Sequence, residues 1–263
     1  MNRPANVRGR LFTEEESLFR SPFQRDRDRI IHASAFRRLK HKTQVFIEHE
    51  GDYFRTRLTH SIEVAQVART IAGALALNGE LTEAVALAHD LGHTPFGHTG
   101  EDAIRHWFRA PENQHFLHSL SALEQADLQT FEGNAQGFRL VTQVEAHRFD
   151  GGMRLTYGTL GAFLKYPWGV DQVQAGKARK FGCYQAELPL LREIADALGM
   201  LELSPRRWAR HPLVYLLEAA DDICYGLIDL EDGIEMGLLR YDEVEQLLQP
   251  VLAEHWSALL AEL

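Results

Sequence analysis

The chain has 263 residues, 45% of them hydrophobic and 25% charged, which is enough for one large buried core or a domain plus an appendage. A formal charge of −9 argues against general coating of nucleic acid, and no apolar run reaches membrane-spanning length. Two cysteines, Cys183 and Cys224, without a secretory signal at the N-terminus, point to a reducing, cytoplasmic compartment with both thiols packed inside.

Helix signals dominate along the chain. After the Ser21-Pro22 break, apolar residues recur at helical intervals over 23–39. Arg37-Arg38-Leu39-Lys40-His41-Lys42 concentrates positive charge, either as a local anion patch or as a solvated helix face. Slight strand signals at 44–48 and at Tyr53-Phe54 would pair across Gly51. From Thr56 to Leu77, Leu58, Ile62, Ala65, Ala68, Ala72 and Leu75 fall near one stripe, with Asn78-Gly79 as the expected stop. Thr82 is expected to cap the next helix, which runs into His89-Asp90. Further helices are predicted around 101–108, 134–147, 155–164, 188–198, 213–230 and 242–260, and 166–180 reads as an irregular loop. The fold class is therefore all-α, with at most a short β-hairpin, and no repeat or convincing linker interrupts it.

His60, the pair His89-Asp90, and Asp221 each lie on a stretch that reads as helix. Imidazole nitrogen and carboxylate oxygen together suit manganese, iron, zinc or magnesium, and an incompletely filled site can hold and activate water. Adjacent His and Asp rarely share a helix face, but Gly92 and Pro95 let the chain unwind, so one ion can collect both. The competing reading is that scattered His and Asp are surface or capping residues. Spacing alone does not choose between the two.

Longer blocks do. Arg57-Leu58-Thr59-His60-Ser61 and the run from His89 through Asp90, Gly92, His93, Pro95 and Gly97 to His98 resemble the HD-domain phosphohydrolases. Within them the chain is most similar to the deoxyguanosinetriphosphate triphosphohydrolase-like (dGTPase-like) family. The branch markers are Ser21-Pro22-Phe23-Gln24-Arg25-Asp26, Phe36-Arg37-Arg38-Leu39, Lys42-Thr43-Gln44-Val45-Phe46, Phe131-Glu132-Gly133-Asn134-Ala135-Gln136 and Glu218-Ala219-Ala220-Asp221-Asp222. Several blocks in family order, spread from Ser21 to Asp222, are far more specific than a lone His-Asp dipeptide.

The resemblance implies a helical HD fold and a divalent ion, Mn2+ or Mg2+ for activity with Fe, Zn, Co or Ni as alternatives, held by His60, His89, Asp90 and Asp221. Asp221, Tyr225 and Asp229 lie at i, i+4 and i+8 on one helix face, whereas Asp222 points about 100° away, which favours Asp221 as the fourth ligand. His98 and Glu101 match the catalytic pair, the histidine assisting proton transfer and the glutamate orienting it, with helix-start charge compensation as a rival role for Glu101. Arg57, one turn before His60, is implied to reach the phosphate. Asn134, Lys165 and Lys180 match positions that hold the polyphosphate, and Tyr166 joins the same substrate-binding set. Gln44, Tyr225 and Asp229 match contacts to the deoxyribose 3′-hydroxyl, with Tyr225 crowding the 2′ position.

The implied reaction is hydrolysis of a deoxynucleoside triphosphate, dGTP or a broader dNTP, to deoxynucleoside and inorganic triphosphate. The implied organisation is an N-terminal helical segment, 1–55, packing on an HD core, 56–263. Family members continue past the position of Leu263, so the region that supplies base contacts and subunit contacts in the homo-oligomeric family form is expected to be absent. Two alternatives stay open. One is an HD phosphohydrolase acting on another nucleotide, and the other a catalytically weakened nucleotide- or nucleic-acid-binding module. Binding of single-stranded nucleic acid is not indicated by any motif, nor is a membrane.

Overall fold

A computed structural model describes residues 9–10, 14–15, 17–45, 55–146, 152–173 and 180–252. Helix α1, Pro22–His32, starts where local chemistry dictates. Ser21 accepts from the Gln24 amide, the Gln24 side chain returns to the Ser21 N–H, and Pro22 sits in the first turn. The predicted helix over 23–39 is in fact broken at Ala33, whose ψ of 149° is extended. A second short helix, α2 (Ser34–Arg38), follows, then a single 3-10 turn at Leu39–His41. The break has a non-local cause. The Glu145 carboxylate accepts from the backbone N–H groups of Ser34 and Ala35, at 3.0 and 2.9 Å, and so caps α2 from across the fold.

Helix α3, Arg57–Ala74, is capped by Thr56 and Thr59 reciprocally. Two expectations at its far end are corrected. Asn78 opens α4 (Gly79–Ala88) by accepting from the Leu81 N–H at 2.9 Å, whereas Thr82 lies inside that helix, buried, and donates back to the Asn78 carbonyl. Helix α3 ends at Leu75 instead, and Ala76 beyond it takes φ +53°. Leu81, Ala84, Val85, Ala86, Leu87 and Ala88 are all buried, as expected of a helix packed on several sides. Its neighbours are α3, α1 and α8 (Tyr157–Phe163).

Between α4 and α8 run α5 (Gly97–Arg109), α6 (Ala122–Gln129) and α7 (Gly133–Arg139), with α7 continuing as a π turn over Leu140–Val144. Helix α6, capped by Ser121 with Glu124, lacks a sequence prediction. Helix α9 occupies Leu188–Leu198 and ends at Gly199, where φ of +64° suits glycine. The described sheet is β1 (Glu202–Ser204) paired antiparallel with β2 (Arg207–Trp208), a pair that lacks a sequence prediction; another pair is predicted around Gly51. Most of that predicted pair, 46–54, lies outside the described residues, although Thr43 bridges Thr56 at its base. Helix α10 spans Pro212–Glu235 and α11 spans Tyr241–Leu252.

The chain divides into two compact units, Met1–Ala220 and Asp221–Leu263. Within the first, a fully buried Asp26 on α1 accepts from Arg10, from the Thr156 amide at 2.9 Å, and from the Thr156 and Thr159 hydroxyls at 2.7 Å each. That joins the N-terminal helix to the start of α8, so the buried carboxylate is paired rather than left costly. Among the described residues no helix is long and apolar enough to cross a membrane.

Candidate metal centre

Two helix ends meet in the first unit. His60 is in the first turn of α3 and 1% exposed, while His89 closes α4, with Asp90 in the turn beyond. One donor atom from each of His60, His89 and Asp90 lies within 4.8 Å of the others. The two imidazoles meet edge to face at 5.5 Å. His89 Nδ1 lies 2.7 Å from the Ala86 carbonyl, which fixes that nitrogen as the N–H and turns Nε2 toward Asp90 at 3.7 Å. Asp90 Oδ1 accepts from Arg57 at 2.8 Å, but among the described residues no hydrogen bond reaches its buried Oδ2. Burial works to raise this carboxyl, yet His89, His93, Arg57 and His60 together outweigh it and hold Asp90 well below the ordinary carboxylate range.

The turn after Asp90 is a close fit. Gly92 has φ +99°, and a Cβ there would lie 2.1 Å from the Gly137 nitrogen, so only glycine lets the turn press against α7. Phe96 then caps α5 in the left-handed region at φ +62°, without a side-chain cap bond. A non-glycine residue held there is strained, which is a common mark of functional loops. Arg57 Nη2 would be 3.3 Å from a Cβ on Gly97, so the guanidinium sits at the mouth of α5.

The predicted catalytic pair divides. His98, at the second position of α5, is exposed. Glu101 is 1% exposed, with Oε1 accepting from the Gly133 amide at 2.9 Å and Oε2 from Arg105 at 3.0 Å. Asn134 and Lys180 do come together, on a residue the sequence reading passes over. Glu132, fully buried, accepts from the Asn134 side chain at 3.1 Å and from Lys180 at 2.8 Å. Burial pulls the Lys180 ammonium down, but Glu132 more than offsets this and raises it. Lys165 pairs with Glu218 at 3.2 Å, and Glu218 also binds Arg210 at 2.8 Å. Arg210 in turn lies 5.1 Å from the centre of the Tyr166 ring. Gln44 bonds the Arg55 carbonyl through its backbone, beside the start of α3.

Asp221, Tyr225 and Asp229 are on α10 within the second unit, where the helix keeps their i, i+4, i+8 spacing. Asp222 faces Tyr225 one turn on and, with Asp221 and Asp229, raises the phenol. Besides Glu132 and Glu218, two more groups were not singled out. His93 lies 3.6 Å from Asp90, and burial, with Arg57, lowers its imidazole. Lys42 donates to the His93 carbonyl at 2.5 Å. All four belong to blocks that carry the resemblance, which is the signal that could have found them.

The family model described as HD domain matches residues 57–200. A deoxyguanosinetriphosphate triphosphohydrolase-like protein of Pseudomonas aeruginosa (strain LESB58) is 54% identical over 256 residues, covering 91% of this chain and 58% of the relative. Proteins of the same name from Ruegeria sp. (strain TM1040) and Jannaschia sp. (strain CCS1) are 52% and 51% identical, covering 95% and 97% of this chain and 58% and 56% of their own lengths. The chain thus spans somewhat over half the length of these relatives.

Proposed function

The chain belongs to the HD-domain family, and from that premise we propose that it is a divalent-metal-dependent hydrolase of deoxynucleoside triphosphates, yielding deoxynucleoside and inorganic triphosphate. One observation carries the reading: the convergence of His60, His89 and Asp90 at two helix ends. The names of the relatives support the substrate class.

The residues fit a divalent cation. Two imidazole nitrogens and a buried carboxylate, whose Oδ2 no described residue engages, make a mixed N/O donor set. Asp221 is proposed as the fourth donor. A bound ion would offset charge on the α-phosphate and raise the acidity of water.

The chain's own residues do the rest in this proposal. A water oxygen bonds to the α-phosphorus, the bond from phosphorus to the nucleoside 5′-oxygen breaks, and triphosphate leaves with its anhydride bonds intact. His98, exposed at the start of α5, delivers a proton to the departing 5′-oxygen. Glu101 acts one step back, holding Gly133 and Arg105 in place and with them the start of α7. Arg57, Lys165, Lys180, Tyr166 and Asn134 gather the polyphosphate, with Glu132 keeping Lys180 cationic and oriented. Gln44, Tyr225 and Asp229 read the 3′-hydroxyl.

The test is elemental analysis together with ion chromatography of products from each dNTP. Wild type is expected to hold a divalent ion and release triphosphate. Asp90→Ala and Asp221→Ala should lose both, and Asp222→Ala should keep most of the metal. Equal metal in the Asp221 and Asp222 variants would refute the fourth ligand, and a product other than triphosphate would refute the substrate.

A further inference from the structure

We propose that a cavity at the start of α9 is a second binding site, taking a small organic anion that carries a flat ring. The cavity has a volume of about 400 Å3 and is lined by Gln185, Leu188, Pro189, Arg192, Arg206 and Trp208. That volume is in the range of small-molecule sites, roughly 300–1,000 Å3. None of these residues belongs to the metal cluster or to the proposed phosphate-holding set, so the site lies outside the proposed reaction.

The lining sorts into two halves. Leu188, Pro189 and the small accessible part of a buried Trp208 give the cavity an apolar side, suited to a ring. The same lining also holds two guanidinium groups and an amide, with no acidic side chain among the lining residues. In a chain of formal charge −9, two arginines lining one concavity gather positive charge there, part of which Asp171 offsets by pairing with Arg206 at 3.1 Å.

The arginines differ in what holds them. Arg206 is set by Gln185 Oε1 at 2.7 Å and by Asp171 at 3.1 Å, which pre-orients its planar fork. Arg192, exposed on the first turns of α9, makes no hydrogen bond or ion pair with any described residue, so its charge is available to a ligand. Gln185 also keeps its buried Nε2 donor without a partner among the described residues. A purely inorganic anion would leave the apolar wall unused, and an uncharged ring would leave the guanidiniums unused. A phosphorylated or carboxylated ring compound satisfies both halves.

Adenosine 5′-monophosphate is a suitable probe, with adenosine and inorganic phosphate as its separated halves. Calorimetric titration in EDTA removes any contribution from divalent ions. Wild type should bind the nucleotide saturably, one per chain, and more tightly than either half. Arg192→Ala, which breaks no hydrogen bond or ion pair among the described residues, should weaken it about tenfold or more, the scale of a charge-assisted hydrogen bond. Arg206→Lys should weaken it too, because a point charge cannot replace the fork. Far-UV circular dichroism checks that both variants are folded, and Arg69→Ala controls for loss of a remote surface charge. Absence of saturable binding, or binding indifferent to both Arg192→Ala and Arg206→Lys, would overturn the proposal.

Discussion

Replacing Glu101 separates a structural tie from a catalytic contact. Its carboxylate is almost wholly buried and holds the Gly133 N–H with one oxygen and Arg105 with the other. In Glu101→Ala the Gly133 N–H is left buried without an acceptor, at a cost of about 1–3 kcal/mol. Arg105 keeps Asp102 at 2.9 Å and the Phe131 carbonyl at 2.8 Å, so its charge is not stranded and the larger penalty for a broken buried pair is avoided. With roughly 1 kcal/mol for lost packing of the side chain, the total is about 2–4 kcal/mol. At about 2–4 °C per kcal/mol for a domain of this size, the melting temperature should fall by about 4–16 °C. Glu101→Gln retains an acceptor for Gly133 and loses only the charge toward Arg105, so its fall should be about a quarter to a half as large. Gly133 also packs against the His93 ring, 3.0 Å from where its Cβ would be, so turnover should fall along with stability. Thermal melts by circular dichroism, beside triphosphate release at a temperature where both variants are folded, provide the readout. If Glu101→Ala melts with wild type yet is inactive, the tie is refuted and Glu101 belongs at the reacting atoms.

Three further outcomes are expected. Burial pushes the Asp127 carboxyl up to about 7, so the folded chain keeps a proton that the unfolded chain releases near pH 4; the resulting stability is fully present below about pH 4, is lost as pH rises toward 7, and is level above that. Asp127→Asn should therefore flatten the pH dependence of the urea midpoint across that window, and an unchanged slope would assign the titration elsewhere. Glu218→Ala frees Lys165 and Arg210 together and should raise KM for a deoxynucleoside triphosphate by about fivefold or less, as for a partly exposed ion pair, with metal content unchanged; a fall in kcat alone would contradict a positioning role. Tyr225→Ala should relax discrimination against a ribose 2′-hydroxyl, measured by competition between dGTP and GTP, and equal handling of the two by wild type would remove the sugar-reading assignment.

What the sequence reveals follows the range of the interactions involved. The start of α1 is legible because Ser21 and Gln24 bond each other three residues apart, and the bounds of α9 follow from its apolar period and from Gly199. The break at Ala33 is not legible, because its cause is a carboxylate more than a hundred residues away at Glu145. Within the site the same division holds. His60, His89 and Asp90 stand at helix ends, where the pattern of apolar residues stops and polar side chains can turn inward, so their convergence has a local trace. Glu132 has a local trace too, but a misleading one. It precedes α7 and its carboxylate accepts from the Asn134 amide at 2.7 Å, as any N-cap would. Only the fold adds the partner that changes its meaning, by bringing Lys180 onto the same carboxylate from 48 residues away. Full burial of Glu132 makes the pairing count, since removing Lys180 would leave a buried carboxylate without its cation. A capping glutamate thereby becomes the support for a cation that the proposed reaction requires.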